Sequence, residues 1–284
     1  MRRQGFLLLC AATAFAAVML VACSAGGNEP PFETKSAEER KSEAQGGFGW
    51  YAYQPKGVDS VRVCRIVIEG EWERGFNELP IDIYYSPRFS YEAAEPAVLV
   101  MSGSTEWSAN ISLAAMLAAE GITAAVIHTQ AAGQLLQEAV AGLRRRAEEL
   151  FIDTEALAVW SEGHSVPAAL ECVLDRESGF HEALRGAVFI SPVMYVGENN
   201  MFVYEREAMS DRVPLFIGKA AQDDFYEVKA SVKQFMEAAE RYGLEVQYSE
   251  SPVGGHNFML EEDDEAAVAV IKEAVRFLEE QVGS

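Results

Sequence analysis

Residues Leu157 to Leu170 read LAVWSEGHSVPAAL, and the fold turns on how this stretch divides. Ala156 to Trp160 is an uninterrupted apolar run, as in a strand covered on both faces. Ser161 to Ser165 is a cluster of small and polar residues, the composition of a tight turn. Pro167 to Leu174 begins a helix. Strand, sharp turn and helix follow one another here without a connecting loop.

The same alternation extends in both directions. Upstream, Val61 to Glu69 and Pro80 to Tyr85 alternate apolar and polar residues, as strands with one wet face do, and suggest an antiparallel pair. Ala97 to Met101 and Ile122 to His128 are continuous apolar runs. Between them Asn110 to Glu120 is helical and closes at Gly121, and Gln134 to Phe151 carries Leu135, Leu136, Val140, Leu143 and Leu150 at helical spacing. Downstream, Gly186 to Ile190 and Val213 to Ile217 are buried strands and Leu244 to Tyr248 a last, alternating one. Val228 to Tyr242 is a helix ending at Gly243, and Glu265 to Val282 closes the chain. The pattern predicts an α/β fold: a mostly parallel eight-stranded sheet with helices on both faces, in one domain over residues 48–284. Only Pro192 to Arg212 interrupts the alternation, and it is expected to form a short cap over the carboxyl ends of the strands.

Composition narrows the function classes. The 284 residues are 49% hydrophobic and 24% charged, the balance of a globular protein. The formal net charge of -21 repels phosphate backbones, so no nucleic-acid partner is expected. Met1-Arg2-Arg3 followed by an apolar run from Phe6 to Ala22 has the layout of a secretory signal. The run ends Leu20-Val21-Ala22-Cys23, which resembles the lipobox of bacterial lipoproteins. That resemblance implies removal of residues 1–22, a lipid on Cys23 and an extracytoplasmic, membrane-anchored body. Cleavage there removes Arg2 and Arg3 and no acid, moving the charge from -21 to -23. Residues 23–47, with Gly26-Gly27, Pro30-Pro31 and few large apolar side chains, read as a flexible tether. Cys64 and Cys172 remain in the body. They are either a disulfide of an oxidising compartment or two buried thiols.

Three places carry candidate chemistry, in chain order. These are the Ser161–Ser165 turn, Val213 to Phe225 (VPLFIGKAAQDDF) and Ser251 to Phe258 (SPVGGHNF). A turn between strand and helix, an acid after a later strand and a histidine after the last strand have the order nucleophile, acid, base. On these residues the chain resembles the α/β-hydrolase superfamily, and within it the dienelactone-hydrolase-like branch, over most of residues 60–284. Strand Ala97–Met101 leads into Ser102-Gly103-Ser104, where the family places its oxyanion loop. Ala156–Leu174 matches its elbow, Pro214–Asp224 its acid-bearing strand and turn, and Gly254-Gly255-His256-Asn257-Phe258 its histidine loop. The resemblance implies His256 as base, Asp223 as the orienting acid in preference to Asp224, and Gly103, Ser104 and the N–H after the nucleophile as oxyanion donors.

The elbow departs from the family's Gly-x-Ser-x-Gly. Aligned without a gap, the turn reads Ser161-Glu162-Gly163-His164-Ser165, with Gly163 at the attacking position. Close packing two residues either side of the apex requires small side chains, and Ser161 and Ser165 satisfy it. With Ser161 at the apex, the preceding small position is the bulkier Val159; with Ser165 there, the following one is Pro167. Three readings are open. Ser161 or Ser165 attacks from a shifted elbow; the nucleophile is lost and the pocket binds a small molecule; or His256 and Asp223 activate a water with no covalent step. His164 is expected to line the same pocket, His128 to be structural and His181 to lie on the surface. No spacing matches a metal motif and no Gly-rich phosphate loop follows a strand, so neither metal nor nucleotide cofactor is expected. Location and charge favour a neutral or cationic ester, or a small lactone, over anionic substrates.

Overall fold

A computed structural model of the chain describes residues 35–36, 51–69, 78–90, 92–102, 107–127, 133–175, 182–195, 210–260 and 264–283. The signal segment, Cys23, Gly103, Ser104, His128 and His181 lie outside the described residues. The elements are β1 (Lys35–Ser36), β2 (Arg62–Glu69), β3 (Glu78–Tyr85), β4 (Glu95–Ser102), α1 (Trp107–Glu120), β5 (Thr123–Ile127), α2 (Gly133–Arg145), α3 (Ala147–Leu150), β6 (Ile152–Glu162), α4 (Val166–Leu174), β7 (Leu184–Ile190), β8 (Leu215–Ala220), α5 (Tyr226–Tyr242), β9 (Val246–Ser251) and α6 (Glu265–Val282).

The strands form one sheet in the order β1-β2-β3-β5-β4-β6-β7-β8-β9. Strands β1, β2, β3 and β5 pair antiparallel in succession, and every pair from β5 through β4 to β9 is parallel. The sheet is therefore mostly parallel, as expected, but has nine strands rather than eight. The additional strand is β1, which falls inside the segment read as a tether. Lys35 and Ser36 carry no apolar pattern; their strand is defined by backbone pairing with Val63 and Arg62.

Helices cover both faces because the central runs of the inner strands, Ala97–Met101 and Ala156–Trp160, are apolar at every position. Ala97, Leu99 and Met101 of β4 and Leu157 and Val159 of β6 enter one core, with Leu136 and Leu143 of α2, Leu170 of α4 and Phe235 of α5. The alternate residues Val98, Val100, Ala158 and Trp160 enter the other core, with Leu113 and Leu117 of α1 and Ile271 and Leu278 of α6. The period of two along each strand thus divides the side chains between two layers of helix. Cys64 and Cys172 both lie buried in the first core as thiols.

Two boundaries depart from the pattern. The predicted helix over Gln134–Phe151 is broken at Arg146, which leaves the helical region at φ -116, while its guanidinium pairs with Glu149 on the short helix that follows. Strand β6 runs on to Glu162, so Ser161 is part of the sheet rather than the turn. Of the predicted cap, residues 192–195 and 210–212 are described and hold no helix or strand; residues 196–209 lie outside the described residues.

The chain order makes β4 and β6 neighbours although β5 separates them in sequence, and β5 lies on the other side of β4. Strand order reverses here, which is where open parallel sheets leave a crevice at their carboxyl ends. Residues 163–165 emerge at that place.

Candidate active site

Gly163 to Ser165 form a single 3-10 turn between β6 and α4. Gly163 stands at its apex with φ +51, in the left-handed region that glycine enters without a side-chain clash. The flanking small residues are packed as the register requires. Ser161 is fully buried between Met101 of β4 and Phe189 of β7, and Ser165 is buried at the start of α4.

The acid comes from the turn after β8. Asp223 is 3% exposed, and its carboxylate uses both oxygens. Oδ1 accepts the Phe225 amide at 2.9 Å, and Oδ2 lies 3.0 Å from Nδ1 of His256. Asp224, its neighbour, is exposed. The bond to Phe225 fixes the carboxylate's rotation, which leaves Oδ2 aimed at the imidazole.

His256 sits in the loop after β9. Gly254 takes φ +86 to turn the chain, and Phe258 and Met259 anchor the far side of the loop in the second core. With Nδ1 facing a carboxylate, the neutral ring carries its hydrogen there and leaves Nε2 as an acceptor. Nε2 faces the elbow: a β-carbon placed on Gly163 would stand 3.9 Å from it, an ordinary contact. A hydroxyl one bond further out would come within hydrogen-bond reach of Nε2. The two distant loops therefore converge on the turn after Trp160, and the residue that meets the imidazole is Gly163.

Neither Ser161, in β6, nor Ser165, in the turn, makes a hydrogen bond to the His256 ring. The Ser161 hydroxyl is buried and has no hydrogen-bond partner. His164 is largely exposed at the rim, 3.4 Å from Glu227 Oε2. Phe225 lies between the two histidines, stacked on the His256 ring at 4.8 Å and meeting His164 edge-on at 5.8 Å. Among the described residues no group of three His, Cys, Asp or Glu side chains is arranged to hold a metal ion.

Two residues of this region escaped the sequence reading. Glu162, directly before the apex, is buried and accepts the Trp160 indole N–H at 3.0 Å. Burial pushes its carboxyl up to about 8. The available signal was a charged residue closing an apolar strand. Ser191, at the end of β7, has φ +44 and donates its hydroxyl to the main-chain oxygen of His256 at 2.6 Å. No local pattern marks it.

No protein-family model matches the chain, and no curated protein matches its sequence. Solved structures match in shape. A fungal esterase from Rhizomucor miehei superposes with a TM-score of 0.65 at 14% identity, covering 87% of this chain and 89% of that one. Esterase 2 of Thermogutta terrifontis, phosphorylated by paraoxon, superposes at 0.59 with 14% identity, covering 76% and 94%. Its native form gives 0.59 at 15% identity, covering 80% and 94%. Likeness at this identity is likeness of fold, and the fold of this chain is that of the α/β-hydrolases.

Proposed function

We propose that this α/β-hydrolase-fold chain hydrolyses a small carboxylic ester or lactone, and that the attacking oxygen belongs to a water activated by His256 rather than to Ser161 or Ser165. The observation that supports it is the glycine apex facing Nε2 of a histidine whose other nitrogen is held by a buried carboxylate. A serine-type site has its hydroxyl at that place; here a water takes it. Nε2 accepts one proton as the water oxygen bonds to the acyl carbon, and the carbonyl electrons move onto oxygen. The same proton passes to the alkoxide as the acyl C–O bond breaks, leaving acid and alcohol. Asp223 orients the ring and stabilises the imidazolium. The N–H groups at Gly103 and Ser104, and that of His164, are assigned to the oxyanion.

A second reading, a protein that binds the ester without turning it over, is favoured by the same glycine. Turnover of short-chain p-nitrophenyl esters by the parent, Ser161→Ala, Ser165→Ala and His256→Ala separates the two. Loss in His256→Ala alone, with alcohol and acid released in step without a burst and no fluorophosphonate adduct on either serine, supports the water mechanism. Loss in either serine variant, with a fluorophosphonate adduct on that serine, restores the covalent one. No turnover, with the ester raising the melting temperature, leaves the binder.

The dienelactone-hydrolase-like branch is the assignment we favour within the fold, on the Gly254–Phe258 loop. The lipobox-like Leu20–Cys23 supports an extracytoplasmic body held to a membrane by a lipid on Cys23. Incorporation of labelled palmitate, abolished in Cys23→Ser, tests the anchor. Such a body meets small, neutral or cationic esters rather than anionic ones.

A further inference from the structure

We infer that the segment leaving β7, Ser191 to Met194, is a brace that sets the spacing between His256 and Gly163, with Ser191 as its positioning residue. Its bearing on turnover rests on the hydrolase reading above; its bearing on geometry does not.

The backbone of Ser191 is unusual in two ways. Its φ of +44 places a residue with a β-carbon in the left-handed region, which among the described non-glycine residues only Phe151 shares. The next residue is Pro192, and residues before proline are normally extended. Such a conformation persists where surrounding contacts over-determine it. Ser191 is 1% exposed and those contacts are on view. Its amide donates to Gly218 O of β8 at 2.8 Å, and its hydroxyl to His256 O at 2.6 Å.

The next residues extend the same device. Val193 donates its amide to the carbonyl of Gly163 at 3.1 Å. Met194 donates to the Ser231 hydroxyl at 2.9 Å, inside α5. One stretch of four residues therefore grips the backbone of the histidine, the backbone of the elbow apex, and the helix that follows the acid's turn. His256 is carried beyond β9, and Gly163 at the end of β6; β7 and β8 separate those strands in the sheet. The bonds of Ser191 and Val193 join the two sites through three residues instead of across two strands. A buried hydroxyl on a main-chain carbonyl touches no substrate, so its effect is on where the imidazole stands.

The test reads alignment directly. In the Gly163→Ser variant, a fluorophosphonate labels the introduced hydroxyl at a rate set by its alignment with Nε2. Adding Ser191→Ala is expected to slow labelling at least 10-fold. Adding Ser191→Gly, which relieves the backbone but also removes the hydroxyl, is expected to slow it similarly at a higher melting temperature than Ser191→Ala. Thr123→Val, which removes a buried hydroxyl that has no hydrogen-bond partner on β5, serves as the stability control and is expected to leave the rate within two-fold. In the chain without Gly163→Ser, Ser191→Ala is expected to broaden and displace the His256 ring-proton resonance. If both Ser191 variants label within two-fold of Gly163→Ser, with an unmoved resonance, the brace is refuted. If Gly163→Ser does not label at all, the spacing the brace is said to hold is absent and the inference falls. If labelling occurs and is slowed while the parent hydrolyses no ester, the brace stands and the hydrolase reading falls.

Discussion

Asp223 binds the Phe225 amide with one oxygen and His256 Nδ1 with the other, at 2.9 and 3.0 Å, so the acid is oriented by the same turn whose aromatic ring covers the base. An amide at this position keeps the size and can keep the Phe225 contact, but it presents a neutral group to the imidazole. Asp223→Asn is expected to lower ester turnover by about 10²–10⁴-fold, the contribution of a positioned general base. Steady-state kinetics check it, and a loss confined to KM would count against the assigned role.

Ser161 presents the opposite case, a buried hydroxyl with no hydrogen-bond partner. Leaving such a group unpaired costs about 1–3 kcal/mol. Ser161→Ala removes it from a strand position that packs against β4 and β7. We expect equal or greater thermal stability and ester turnover within two-fold of the parent. A large drop in turnover at unchanged stability would return Ser161 to the mechanism.

Glu162 makes stability depend on pH. Its carboxyl is raised from 4.5 to about 8 by burial, so the folded chain keeps a proton that the unfolded chain has released. The stability this group contributes is complete below pH 4.5, declines as pH rises, and is gone above about 8. At 1.36 kcal/mol per unit the window is worth on the order of a few kcal/mol. Glu162→Gln removes the dependence while keeping an acceptor for Trp160. Melting curves at pH 5, 6.5 and 8 should show the variant gaining on the parent as pH rises; a constant difference would contradict the burial argument.

Asp82 carries a charge into the sheet. It is 1% exposed on β3 and takes two hydrogen bonds of 2.7 Å from Arg65 of β2. Truncating the partner of a buried carboxylate typically costs about 3–5 kcal/mol. Arg65→Ala should show a loss of that order in urea unfolding. Replacing both residues by apolar ones of similar volume should recover much of it, since the cost lies in the stranded charge.

The sheet and its layers were legible because the inner strands have one signature. Ala97–Met101 and Ala156–Trp160 are short runs apolar at every position, the pattern of strands covered on both faces. The helix ends at Gly121 and Gly243 were equally plain, since both glycines take positive φ. The apex at Gly163 was readable from bulk alone: Val159 and Pro167 do not fit where Ser161 and Ser165 do. Strand β1 was hidden because backbone pairing with β2 defines it, and two polar residues carry no pattern for that. The break at Arg146 is a single backbone rotation, to φ -116, inside a run whose apolar spacing continues through it. Ser191 acts across 65 residues of sequence on a carbonyl, a group every residue possesses, so nothing in its neighbourhood advertises the contact.

The left-handed turn at residue 163 also has a genetic meaning. A glycine codon ending in a pyrimidine becomes a serine codon by one purine transition at its first base. The space beside Nε2 admits the added hydroxymethyl group, and the backbone there already has the form an elbow demands. The proposed water-based chemistry and a covalent one are therefore adjacent in mutational space on this scaffold, and laboratory evolution toward a serine nucleophile has its first step laid out in advance.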